Sequence, residues 1–231
     1  LTIDRSSSAM AECYRTRALY HIVFLGLYLG TWYLDLKTMK SEFLLVPGNQ
    51  FSRLLWLTII DLTVQTLYHA IGVFVTTTKI GARNGTLHFL ARAIIQPLGM
   101  TVALLFWELW TLDPNTLAQD GNAQVLFQHP LWNHGLHTLP FISGLADVIF
   151  WNRPSPAFSS VLKTIFAFFG AYITEITIFN HYTGLWPYPI LAQLVGPAKL
   201  LFYGGCAAHI VASYGFYSLV HNIVHGNAKD D

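Results

Sequence analysis

Asn133, His134 and His137 fall within WNHGLHT (132–138), and Thr58, Asp61 and Gln65 recur at helical spacing in LTIIDLTVQ (57–65). On helices, each set occupies one face. The first face offers two imidazoles and an amide; the second offers a hydroxyl, a carboxyl and an amide. Such groups serve proton transfer to and from a nucleophile, ligation of a metal or haem, passage of an ion, or plain hydrogen bonding between helices. What makes them informative is their surroundings, because both sets sit inside runs that are otherwise Leu, Ile, Val and Phe.

Those runs dominate the chain. Of 231 residues, 53% are hydrophobic and only 11% charged, which a soluble domain does not match. Apolar runs of membrane-crossing length occupy residues 17–36, 54–78, 88–112, 131–151, 157–181 and 198–222, and leave no room for a separate soluble domain. The expected fold is all-α: a polytopic membrane protein, one domain built as a six-transmembrane-helix bundle over residues 1–231. Residues 1–16 are expected to form a flexible N-terminal segment, with Met10 a candidate initiator. The first run is too long for a cleavable signal peptide and is expected to stay as an anchor. Short connections rich in breakers, such as VPGNQ (46–50), GARNG (81–85), NRPSP (152–156) and TGLWPYPI (183–190), favour antiparallel neighbours. Pro97 and Pro140 lie inside the third and fourth runs and should kink them. The tryptophans, Trp132 among them, fall near the ends of the runs, as an interfacial belt requires.

Charge placement predicts orientation. With the N-terminus inside, Arg5, Arg15, Arg17, Lys79, Arg83, Arg153 and Lys229 are cytoplasmic, against Lys37, Lys40 and Arg53 outside. The loop from Asp113 to Pro130 has no Lys or Arg, which favours the outer side, so both termini are expected in the cytoplasm. A net charge of +1 and no basic run give no footprint for a nucleic-acid partner. Cys13 and Cys206 lie at different depths and are not expected to pair.

An ionisable side chain in a membrane span is costly unless it meets a cavity or a partner. Thr58 and Asp61 lie one to two turns into the second run, and His134 and His137 at similar depth in the fourth. Glu108, near the end of the third run, and Glu175, Asn180 and His181, near the end of the fifth, fall toward the same side. Each alone has a bland reading: threonine in a membrane helix usually bonds the carbonyl four residues back, and a lone histidine usually packs. Their convergence favours a polar cavity with lipid-like walls, suited to a substrate that is half lipid and half polar.

LTIIDLTVQ (57–65), WNHGLHT (132–138) and HYTGLWPYP (181–189) resemble, in matching order, motifs of the androgen-induced FAR-17a family of multipass membrane proteins. The resemblance implies a threonine hydrolase, a carboxylic ester hydrolase that cleaves fatty acid esters of hydroxy fatty acids and releases a fatty acid, in the endoplasmic reticulum or cell membrane. By motif position it implies Thr58 as nucleophile and His137, rather than His134, as base. Asp61, Gln65, Asn133, His134, Glu108, Glu175 and His181 are candidates for support or substrate binding, Asn133 and His134 for the oxyanion. Arg53 and Arg92 are candidates for pairing with a substrate carboxylate. No cofactor or metal is required; the expected partners are the lipid substrate, its fatty acid product and membrane lipid. Two features depart from the family: the segment between His137 and Pro140 is shorter, and Asn180-His181 stands where His-His is common.

Competing readings are a haem-binding electron carrier, with His69 and His209 as a further histidine pair, and a lipid or ion transporter, which no internal repeat favours. His221 and His225 have i, i+4 spacing, but the several histidine boxes of a desaturase-type metal site are absent.

Overall fold

A computed structural model describes residues 2–80, 85–118, 127–152 and 155–226, with side chains from residue 14 onward. Arg83, Arg153, Lys229 and the middle of the Asp113–Pro130 loop, on which the orientation partly rests, lie outside the described residues, as do the side chains of Arg5 and Cys13. Among those described there are helices and turns and no strand.

Helix α1 spans Thr2–Thr38, so residues 2–16 continue the first apolar run as helix. Then come 3-10 turns at Ser41–Phe43 and Gln50–Leu55, α2 (Leu57–Thr78), and α3 (Thr86–Leu112). Next are α4 (Pro130–His137), α5 (Leu139–Phe150), α6 (Phe158–Thr183), the short α7 (Pro189–Gln193) and α8 (Pro197–His225). Helix stands at every one of the apolar runs. Among the described residues three helices, α2, α3 and α6, are both long enough and apolar enough to cross a membrane; α5 is apolar but shorter.

Both expected proline kinks have a specific form. Ahead of Pro97, residues Ala91–Ile95 wind as a π-turn, which absorbs the missing amide and the ring clash without breaking α3. At Pro140 the helix is interrupted: Thr138 (φ −124°, ψ −40°) ends α4 and Pro140 sits in the first turn of α5, where its lack of an N–H costs nothing. The fourth run is thus two half-helices.

Packing centres on α1 against α2, and on α3 against α5 and α8. Gly99 makes the last approach close: a Cβ there would fall 2.7 Å from Gln65 Nε2 and 2.8 Å from Pro140 Cβ. Polar pairs stitch the interior, since apolar surface gives helices in lipid little reason to choose partners. Asp147 of α5 accepts from Gln96 (2.7 Å) and Tyr68 (3.3 Å), and Ser143 meets Tyr28 (2.7 Å). Trp132 departs from the expected interfacial belt: it is fully buried and its Nε1 donates to Asp35 at 3.2 Å.

Asp61 and Gln65 belong to this structural interior. Gln65 Nε2 donates to Asp61 Oδ1 (3.1 Å) and to the Ile95 carbonyl (3.0 Å), while Asp61 Oδ2 and Gln65 Oε1 are buried with no partner. Asp61→Asn, which can present an N–H to Gln65 Oε1, is expected to unfold in detergent within about 1 kcal/mol of the parent, whereas Asp61→Ala should cost about 1–3 kcal/mol. Thermal melts of the two variants decide it; equal losses would mean that the negative charge, not the hydrogen bonding, is what the fold uses.

Candidate active site

The 3-10 turn Gln50–Leu55 is capped by Asn49, whose Oδ1 accepts the Phe51 amide, and is reached through Gly48 at φ +82°, a left-handed conformation natural only to glycine. Trp56 is extended, α2 starts at Leu57, and Thr58 therefore sits in the first turn of the helix. Position decides what its hydroxyl can do. Thr63, Thr66, Thr76, Thr77 and Thr78 of α2 each donate to the carbonyl four residues back, at 2.6–2.7 Å. Thr58 has no helical carbonyl four residues behind it, and alone among the α2 threonines makes no such bond.

The start of α2 is docked on the loop after α6. Gly184 (φ +72°) ends α6, and the chain returns through Trp186, Pro187 and Tyr188. Trp56 Nε1 donates to the Pro187 carbonyl (2.8 Å), the Leu57 amide donates to Tyr188 Oη (3.0 Å), and Tyr172 of α6 donates to the Leu55 carbonyl (3.1 Å). The Tyr188 hydroxyl thus sits against the backbone of the residue just before Thr58.

On α4, His129 caps the helix by accepting the Trp132 amide (3.3 Å). Two turns on, His137 Nδ1 faces Asn133 Oδ1 at 2.7 Å and the Asn133 carbonyl at 3.1 Å. Both partners are acceptors, so Nδ1 carries the hydrogen and Nε2 keeps its lone pair. The ring is 2% exposed, stacked on Phe106 at 3.5 Å between centroids with a 6° tilt, and met edge-on by Phe127.

Thr58 and His137 line one cavity of about 340 Å³. Its walls are mostly Leu, Ile and Phe from α2, α3, α4, α6 and α8, with Tyr172, Tyr188, Tyr203, Thr101, Cys206, Asp35 and Glu42 as further polar or ionisable groups. No hydrogen bond joins Thr58 to His137 directly. The wall holds no Lys or Arg among the described residues. Arg53 is buried against Asp35, Gln50 and the Met39 carbonyl. Arg92 is buried and faces Ser155, Ser218, Gln96 and the Tyr217 carbonyl. Neither is placed to hold a substrate carboxylate in the cavity.

Other residues singled out in the sequence lie elsewhere. His134 is exposed, its Nδ1 3.0 Å from Thr138 Oγ1. Glu108 is exposed and pairs with His209 at 3.0 Å. Glu175 and His181 are exposed on α6 and do not line the cavity, nor do Asp61, Gln65 and Asn133. Asn133 instead acts through His137. The polar residues expected at one depth therefore do not form one cluster: helix rotation turns several of them away. His69 Nδ1 lies 3.2 Å from His21 Nδ1 inside a box of Tyr20, Phe24, Tyr28 and Tyr68, and His209 is committed to Glu108, so the His69–His209 pair of the haem reading does not form. Tyr172, Tyr188 and Phe106 carried no signal as separate residues. Only Tyr188 falls in a motif, WPYP, that could have drawn attention.

Comparisons with known proteins agree with this picture at the level of family. The human androgen-induced gene 1 protein is 26% identical over 203 residues, covering 80% of this chain and 83% of that protein. The androgen-dependent TFPI-regulating protein of Rattus norvegicus is 26% identical over 218 residues, covering 91% and 92%, and its human counterpart 26% over 214, covering 88% and 87%. No solved structure matches significantly. The profile of the FAR-17a/AIG1-like proteins matches residues 16–222, nearly the whole helical region, and the chain belongs to that family.

Proposed function

We propose that this protein is a membrane-embedded carboxylic ester hydrolase of six spans, with both termini in the cytoplasm of cells whose endoplasmic reticulum or surface membrane holds it. Its substrates are fatty acid esters of hydroxy fatty acids. The observation that carries the reading is that Thr58, the one α2 threonine not bonded to its own helix, opens on the same apolar cavity as His137, whose Nε2 is the ring nitrogen left able to accept a proton.

In this reaction Thr58 Oγ attacks the ester carbonyl carbon as His137 Nε2 takes the hydroxyl proton. The tetrahedral intermediate collapses, the bond to the hydroxy fatty acid oxygen breaks, and His137 returns the proton to that oxygen. Acyl-Thr58 remains. Water then adds with His137 as base, the acyl–oxygen bond breaks, the proton returns to Thr58, and a fatty acid leaves. Asn133 holds the imidazole in the required tautomer, the role that a third residue has in hydrolase triads. Because no Lys or Arg among the described residues lines the cavity, the acyl chains occupy it and the substrate carboxylate stays at its mouth.

A fluorophosphonate probe should add one label per chain, mapped by peptide mass spectrometry to Thr58, and none to a folded Thr58→Ala variant. Undiminished labelling of Thr58→Ala would refute the nucleophile. Thr58→Ser retains the hydroxyl and should retain labelling.

A further inference from the structure

We propose that the Tyr188 hydroxyl donates the hydrogen bond that stabilises the negative oxygen formed when Thr58 attacks a carbonyl. The inference rests on the Thr58–His137 reading and adds to it the donor that nucleophile and base leave unassigned.

A helix N-terminus would ordinarily offer its first amides for this task. Here most are already used. The Leu57 amide donates to Tyr188 Oη at 3.0 Å. The Ile59 and Ile60 amides both donate to the Trp56 carbonyl, at 2.9 and 3.1 Å. On α4, Asn133 has its Oδ1 on His137 and its Nδ2 3.5 Å from the Phe127 carbonyl, and His134 is exposed on Thr138. Tyr172 directs its hydrogen to the Leu55 carbonyl at 3.1 Å.

What remains beside Thr58, apart from its own amide, is the hydrogen of Tyr188. A hydroxyl oxygen that accepts from a helix N-terminal amide is polarised, so its own O–H becomes a stronger donor. Tyr188 lines the same cavity as Thr58, and its hydroxyl oxygen accepts the amide of Leu57, the residue just before Thr58. When Thr58 Oγ bonds to the carbonyl carbon, the Tyr188 hydrogen can turn to the oxyanion of the tetrahedral intermediate. Its placement is fixed beforehand: Pro189 follows, which holds Tyr188 extended (φ −122°, ψ 130°), and Pro187 before it is tied to Trp56 Nε1 at 2.8 Å. A donor that need not reorganise during the reaction is the kind that contributes most to the rate.

Two inhibitors separate a donor from a structural prop. A long-chain trifluoromethyl ketone adds to Thr58 as a hemiketal and so creates the oxyanion; the matching secondary alcohol fills the same cavity and creates none. In the full-length protein in detergent, Tyr188→Phe is expected to lower kcat about 10²- to 10³-fold with little change in KM, the usual loss for one such donor. It should weaken the ketone by a comparable factor and leave the alcohol's affinity as it was. Equal weakening of ketone and alcohol would assign Tyr188 to shaping the cavity, and no weakening of either would remove it from the reaction; each overturns the proposal. Thr58→Ala, measured beside it, reports on the underlying reading: full hydrolysis in that variant sinks the nucleophile, whereas its inactivity beside a fully active Tyr188→Phe sinks only the donor.

Discussion

His137→Ala is expected to lower ester hydrolysis by about 10²- to 10⁴-fold, the usual contribution of a general base, while His134→Ala stays within a small factor of the parent. The two rings are three residues apart on α4, yet one is buried against Phe106 at the cavity wall and the other is exposed beside Thr138 and Trp107. Asn133→Ala should fall between them. It removes the 2.7 Å bond to Nδ1 but leaves the backbone carbonyl at 3.1 Å to hold the same tautomer. Turnover of a fatty acid ester of a hydroxy fatty acid, compared at equal amounts of protein eluting as the parent does on size exclusion, gives the order. A dead His134→Ala beside a normal His137→Ala would reverse the roles.

The second large effect is on stability. Arg53 and Asp35 form an ion pair with 6% and 0% side-chain exposure. Trp132 Nε1 bonds the other carboxylate oxygen at 3.2 Å, and the Met39 carbonyl and Gln50 complete the guanidinium's partners. This cluster joins the end of α1, the 3-10 turn that leads into Thr58, and α4. Arg53→Ala leaves a carboxylate buried without its cation, and breaking such a pair from one side costs about 3–5 kcal/mol. Arg53→Met with Asp35→Leu removes both charges and is expected to recover most of that loss, because well-packed apolar groups replace buried pairs at little cost. Thermal unfolding in one detergent compares them; a double variant as unstable as Arg53→Ala alone would show that the hydrogen bonds, not the unpaired charge, set the penalty.

Helix positions were legible because length and apolarity alone mark a membrane segment: every apolar run is helical, including the first and last, which are long but less apolar than α2, α3 and α6. Facing was not. Spacing puts Thr58, Asp61 and Gln65 on one side of α2, but a helix whose exposed face is itself apolar, here Leu67, Ile71 and Phe74, has no polar face to orient it, and only packing sends Thr58 to the cavity and Asp61 to Gln65. The same ambiguity hid Asp35 and Asp147, whose partners come from other helices. His134 and His137 could not be separated by spacing at all. The break at Thr138 was foreshadowed by Pro140, since proline excludes the preceding turn from a continuous helix.

The apolar wall of the cavity also sets the variable in which this protein's work must be expressed. A molecule able to fill a space lined by Leu, Ile and Phe is dissolved in the bilayer rather than in the aqueous phase. Its encounter frequency therefore follows its mole fraction among the surrounding lipids. Adding inert lipid or detergent dilutes it without changing its molarity, so half-saturation belongs on a scale of substrate per amphiphile, and a concentration per litre has no fixed meaning for it.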